Sequence, residues 1–170
     1  VVSGDFGLSY RSSAGKVSDS TINVNCNGID INGMISVGTN EYVTNVSGNT
    51  ITTAEGTPIT AYAGALAEVH ENTVSGASQG SGIGVQSSRV TIHGNTIGPR
   101  GGWTGIWLYG SFDVDAQNNT ISDTAREPVM AGDYWAGDNP DVRRLYFANN
   151  EVTVPGTGLC QSSTYWGGEF

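Results

Sequence analysis

The two histidines of this chain, His70 and His93, each stand two residues ahead of an Asn-Thr pair. Imidazoles at equivalent places on neighbouring strands would lie about 4.8 Å apart, and such a pair can bind Zn2+ or Cu2+. Glu68 and Asp115 fall on the same face. The continuing positions, Asn25, Ser47 and Gln117, add no third nitrogen or sulfur, and a closed site needs four ligands. A second group is acidic: Asp133, Asp138 and Asp141 crowd one segment, and Asp113 occupies the matching turn one repeat earlier. Carboxylates in unlike surroundings can divide acid and base roles, and Asp133, Asp138 and Asp141 could instead hold Ca2+. No other cofactor is called for, and a solvated acidic turn is the plain alternative. The third group is aromatic. Trp107 and Tyr109 alternate with Ile106 and Leu108, so they point out of a strand whose aliphatic residues point in. Tyr62 takes the same outward place in an earlier repeat, and Trp103, Tyr134 and Trp135 come from flanking loops. Exposed rings either pack beneath loops or bind, and flat faces of this kind stack on sugar rings.

The chain that carries these groups has 170 residues, 25 of them glycine, and a formal charge of −9. The length fits one domain over 1–170. The acidic balance argues against nucleic-acid backbones and anionic membrane surfaces as partners. No apolar run is long enough to span a membrane. Gly, Asn, Thr, Ser, Val and Ile dominate, which favours short strands and tight turns over helices.

A repeat positions the candidate residues. Asparagines stand at 27, 49, 72, 95, 119 and 150, separated by 22, 23, 23, 24 and 31 residues. Two places after them come Ile29, Ile51, Val74, Ile97, Ile121 and Val152. Three before them come Val24, Val46, Val69, Ile92, Ala116 and Phe147. A further apolar pair follows each motif: Ile35 and Val37, Ile59 and Ala61, Ile83 and Val85, Ile106 and Leu108, Val129 and Ala131. Leu8 looks like the start of the same element in an incomplete first repeat, and Leu159 in the last. Each repeat thus reads as three short strands and three turns that bury their inward residues only against neighbours. Leucine-rich repeats need more leucine than this, and propeller blades need about 40 residues. The expected fold is all-β: a single-stranded right-handed parallel β-helix, a solenoid of about six coils of 22–24 residues, its turn asparagines stacked in a ladder.

The string V-x-I-x-x-N-x-I, followed about ten residues later by Gly-Ile, resembles the parallel β-helix repeats of pectate lyase-like proteins, including the NosD and carbohydrate-binding/sugar-hydrolase groups. The resemblance covers residues 22 to 160. It implies that the Gly-Ile strand is first in each coil, the strand before the asparagine second and the strand after it third. It also implies that substrate lies across the outer face of the first strands, where alternation places Ser36, Thr60, Tyr62, Gly84, Gln86, Trp107, Tyr109 and Met130. Lyases of this kind commonly use a basic residue, for which Arg100 and Arg126 are the candidates beside Asp113 and Asp133. Neither arginine sits in a recognisable motif. The aspartate cluster of the hydrolases is missing, because Thr60, Gly84, Trp107 and Met130 hold those positions.

These features lead to an extracellular or cell-surface module that recognises, and in one version processes, a polysaccharide or surface glycan. Two rivals are a rigid structural or adhesive rod, and metal binding through His70 and His93. Neither end shows an amphipathic capping helix, so the expectation is a segment of a longer chain, or ends covered by a neighbouring domain or subunit. Cys26 and Cys160 should not form a disulfide. Coil stacking would separate them by roughly 24 Å along the axis, at about 4.8 Å per coil, whereas a disulfide needs Cα atoms within about 7 Å.

Overall fold

A computed structural model describes residues 1–11, 14–33, 43–76, 79–125, 127–131 and 143–153. After β1 (Val2–Gly4) the described chain makes six three-stranded coils. They are β2 to β4 (Leu8–Arg11, Gly15–Ser18, Thr21–Val24), β5 to β7 (Ile29–Asn32, Val43–Ser47, Thr50–Thr53) and β8 to β10 (Ile59–Tyr62, Leu66–His70, Thr73–Gly76). They continue with β11 to β13 (Ser81–Gln86, Arg89–His93, Thr96–Gly101), β14 to β16 (Thr104–Tyr109, Phe112–Gln117, Thr120–Ser122) and β17 to β19 (Val129–Ala131, Arg143–Ala148, Glu151–Thr153). Every strand pairs in parallel with its counterpart one coil away. The result is three sheets in the orders β2-β5-β8-β11-β14-β17 (first), β3-β6-β9-β12-β15-β18 (second) and β1-β4-β7-β10-β13-β16-β19 (third). This is the expected parallel β-helix.

The core is a stack of aliphatic columns, one or two from each sheet. Ile29, Ile59, Ile83 and Ile106 rise from the first sheet, Val17, Val46, Val69 and Ile92 from the second, and Ile22, Ile51, Val74, Ile97 and Ile121 from the third, all buried. β-Branched residues suit these columns because their few χ1 choices repeat from coil to coil. In the last coil the inward positions open up: Phe147 is 40% and Val152 42% exposed.

The ladder is continuous from Asn49 to Asn150. Each Nδ2 donates to the next Oδ1, at 2.9 Å from Asn49 to Asn72, 3.0 Å to Asn95, 3.0 Å to Asn119 and 2.8 Å to Asn150. Each also donates to a second-sheet carbonyl, as Asn95 does to Val69 O at 2.9 Å. The same Oδ1 atoms accept the backbone N–H of the asparagine one coil back, as Asn95 Oδ1 does from Asn72 N at 3.0 Å. The amide side chain thereby satisfies backbone groups that the turn leaves buried.

The first coil departs from the spacing. Asn27 is not in the ladder. Its place belongs to Ser20, whose N–H donates to Asn49 Oδ1 at 3.0 Å across 29 residues. Ile22 and Val24 therefore belong to the third sheet, opposite Ile51 and Thr53. Ile29 and Ile31 belong to the first sheet, opposite Ile59 and Ala61, where Ile35 and Val37 were expected. The physical reason is the glycine before the strand. A Cβ on Gly28 would lie 2.5 Å from Pro58 O, and one on Gly105 2.6 Å from Pro128 O. At Gly28 and Gly105 the entry to a first-sheet strand packs closely on the backbone of the next coil, and Gly28-Ile29 is such an entry.

Candidate functional site

Correcting the register changes the outer face of the first sheet. One outward column now runs Ser9, Asp30, Thr60, Gly84, Trp107, Met130. The next runs Arg11, Asn32, Tyr62 on one stretch and Gln86, Tyr109 on another. Asp30 therefore shares a column with Thr60, Gly84, Trp107 and Met130. Sequence reasoning overlooked it because Ile29 had been given to the third strand. The signal was present in Gly28-Ile29-Asp30-Ile31, which matches Gly105-Ile106-Trp107-Leu108.

Asp30 is half-buried, and withdrawal from water is the main influence on its carboxyl group, raising its pKa above the ordinary 3.8. Asn27 opposes this by donating Nδ2 to Asp30 Oδ1 at 3.1 Å. Thr60, directly opposite on the next strand, and the Arg11 guanidinium also favour the ionised form. The Thr60 hydroxyl is buried there without a well-formed hydrogen bond. Asn27 is itself fixed, since its Oδ1 accepts Thr57 N–H at 3.0 Å. The residue expected in the ladder thus holds the Asp30 carboxylate.

Three coils on, Trp107 and Tyr109 lie side by side, half-buried, with ring centroids 5.7 Å apart and planes tilted by 44°. Tyr62 is half-buried on β8 and Trp103 is 44% exposed in the turn before β14. The first-sheet face thus carries Tyr62 on β8 and the Trp107–Tyr109 pair on β14, with Trp103 in the turn before β14. Trp135, Tyr134, Ser36 and the acidic residues Asp133, Asp138 and Asp141 lie outside the described residues, as do Arg126 and Cys160. Arg100 belongs to β13, in the third sheet. Cys26 is a half-buried free thiol in the turn between β4 and β5.

The second sheet carries the histidines. His93 pairs with His70 and His70 with Ser47, so the column continues to Ser18, not to Asn25. Asn45 Nδ2 lies 3.1 Å from Glu68 Oε2 and 3.2 Å from His70 Nε2, and His93 Nε2 lies 3.4 Å from Asp115 Oδ1. Among the described residues no group of three or more His, Cys, Asp or Glu side chains could hold a metal ion. Asp113, a candidate for acid–base work, sits on β15 between two guanidinium groups. Arg89 Nε is 3.2 Å and Arg144 Nε 2.6 Å from its oxygens. A carboxylate so held serves as a tie between coils.

An open groove of about 630 Å³ lies elsewhere, over the third sheet, lined by Asn23, Thr52, Thr53, Ser75, Gly76 and Pro99 among others. No described helix is long and apolar enough to cross a membrane, which says nothing of β-barrels.

A single-layer coil of three parallel sheets with an internal asparagine ladder defines a right-handed β-helix. The family described as "right handed beta helix region" matches residues 32–165, and the chain belongs to it. Neither the curated proteins nor the solved structures yield a match.

Proposed function

We propose that the outer face of the first sheet binds a carbohydrate polymer at the cell surface or outside the cell. The supporting observation is the juxtaposition on one face of the Trp107–Tyr109 ring pair and Tyr62 with the Asp30, Asn32 and Arg11 hydrogen-bonding groups. Rings that present apolar faces beside polar groups match the mixed surface of a sugar chain, and coil stacking sets them along a line that a linear polymer can follow. Hydrolysis by the usual route needs two carboxyl groups flanking the scissile bond. Among the described residues the two outward columns provide Asp30, and the reading proposed is one of binding.

A screen of soluble polysaccharides and a glycan array would test this. Trp107→Ala should weaken binding to any polymer found by roughly tenfold, which corresponds to about 1.4 kcal/mol. Retained affinity in Trp107→Ala and Tyr62→Ala would move the site off this face. Absence of binding to every polymer would leave the chain as a structural rod.

A further inference from the structure

The outer face of the third sheet carries a second regular array that the carbohydrate reading does not use. Thr21 pairs with Thr50, Thr50 with Thr73, Thr73 with Thr96 and Thr96 with Thr120. These five threonines form one unbroken column across five coils. The first four are exposed and Thr120 is half-buried. Each stands just after a ladder position, so the buried ladder beneath fixes the column in register. A second column, two residues on, holds Asn23, Thr52 and Ser75, and Thr52 Oγ1 lies 3.2 Å from Ser75 Oγ.

Spacing and chemistry together restrict what such a face can bind. Strands repeat at about 4.8 Å across the sheet, and alternate residues at about 6.6 Å along it. Threonine has few side-chain conformations in a strand, so each methyl and hydroxyl recurs at those intervals with little ordering cost on binding. In a chain of formal charge −9, neither column carries a charged side chain on β4, β7, β10 or β16, and the threonine column reaches an acidic residue only at Glu151. Asp19 and Glu71 stand to the side, in the turns. Arg100 belongs to β13 of the same sheet, but the five threonines themselves are neutral, and a neutral column does not suit an ionic partner. The face also lacks aromatic side chains on those strands, and so lacks the platform for sugar rings that the first sheet has. The second column stops at β10, where the register to β13 shifts, but the threonine column continues, and methyls and hydroxyls at a fixed strand spacing suit a partner that is itself a neutral, hydrogen-bonding lattice. The spacing between strands is close to the shorter oxygen repeat on the prism face of hexagonal ice.

We infer that the third-sheet face orders water into an ice-like layer and binds the surface of an ice crystal. The first-sheet face has no part in this, so the inference stands or falls apart from the carbohydrate reading.

The test is partitioning of the purified chain into a slowly growing ice front, together with ice recrystallisation in a sucrose solution. The parent protein should concentrate in the ice and arrest recrystallisation. The double substitution Thr73→Lys with Thr96→Lys should abolish both effects and leave the thermal unfolding midpoint unchanged, because both side chains are exposed. Thr73→Val with Thr96→Val keeps the shape of the face and should retain most of the partitioning, which guards against misfolding of the lysine variant. Trp107→Ala should behave as the parent does. Exclusion of the parent from ice would overturn the inference. Equal partitioning by parent and lysine variant would also overturn it, as would retention of the parent on crystalline cellulose or chitin that the lysine substitutions abolish without any effect on ice.

Discussion

At the scale of single residues, asparagine does the most structural work per atom. Asn95 Oδ1 accepts both Asn72 N–H and Asn72 Nδ2, while its own Nδ2 donates to Val69 O and Asn119 Oδ1. Asn95→Leu would leave the buried Asn72 N–H without the acceptor it has in Asn95 Oδ1, at about 1–3 kcal/mol. Urea unfolding should show a lower midpoint by that margin; an unchanged midpoint would mean that water replaces the amide. Asp30 makes the opposite kind of contribution. Its pKa is raised above 3.8, so the folded chain holds this proton more tightly than the unfolded chain does. Between the unfolded and folded pKa values the native state therefore binds more protons, and stability from this group falls as pH rises. It is fully present below 3.8 and lost once pH has passed the folded value. Asp30→Asn should remove that dependence. The variant should match or exceed the parent's stability at neutral pH and gain nothing below 3.8, as paired denaturation curves at the two pH values would show.

At the scale of elements, the strand entries decide how the coil is read. The spacing of Asn49, Asn72, Asn95, Asn119 and Asn150 was legible because each precedes an inward β-branched residue by two. It misled at Asn27, where Cys26-Asn27-Gly28-Ile29 imitates the motif while the ladder position is a serine. Periodicity reports only that a residue faces in, and both Ile29 and Ile51 do. The packing of Gly28 against Pro58 O tells them apart, and that contact lies 30 residues away along the chain. Asp30 was lost with the register, because a strand given to the wrong sheet takes its outward residues with it. The aromatic pair was legible, since Ile106 and Leu108 fix its direction without reference to the rest of the chain. The entry glycines supply a direct check. Gly105→Ala would drive a Cβ to 2.5 Å from Ile121 Cγ2 and 2.6 Å from Pro128 O, whereas at Gly84 the nearest atom is Thr57 Cγ2 at 3.5 Å. Gly105→Ala should cost about 1–3 kcal/mol through overpacking, with Gly84→Ala near neutral by thermal unfolding. Equal effects would show that strand entry does not require the close approach.

At the scale of the whole molecule, stability passes from coil to coil through nearest neighbours, as in other solenoids. The ties differ in strength. Arg89, Asp113 and Arg144 join the fourth, fifth and sixth coils, but Arg89 and Arg144 side chains are 44% and 71% exposed. Such pairs contribute about 0–1 kcal/mol and are screened by salt, so they cannot hold the last coil by themselves. The interior does more. Val69, Ile92 and Ile97 are fully buried, whereas Phe147 and Val152 are 40% and 42% exposed and the terminal ladder residue Asn150 is half-buried. Local opening follows the apolar contact that each segment would lose. Hydrogen exchange should therefore be slowest for the amides of β9, β12 and β13 and faster by orders of magnitude for those of β18 and β19. Mass spectrometry of peptic fragments would resolve the two groups. If β18 and β19 exchanged as slowly as β12, something would have to cover Phe147 and Val152 in solution, and the open last coil would not be the state that the protein adopts.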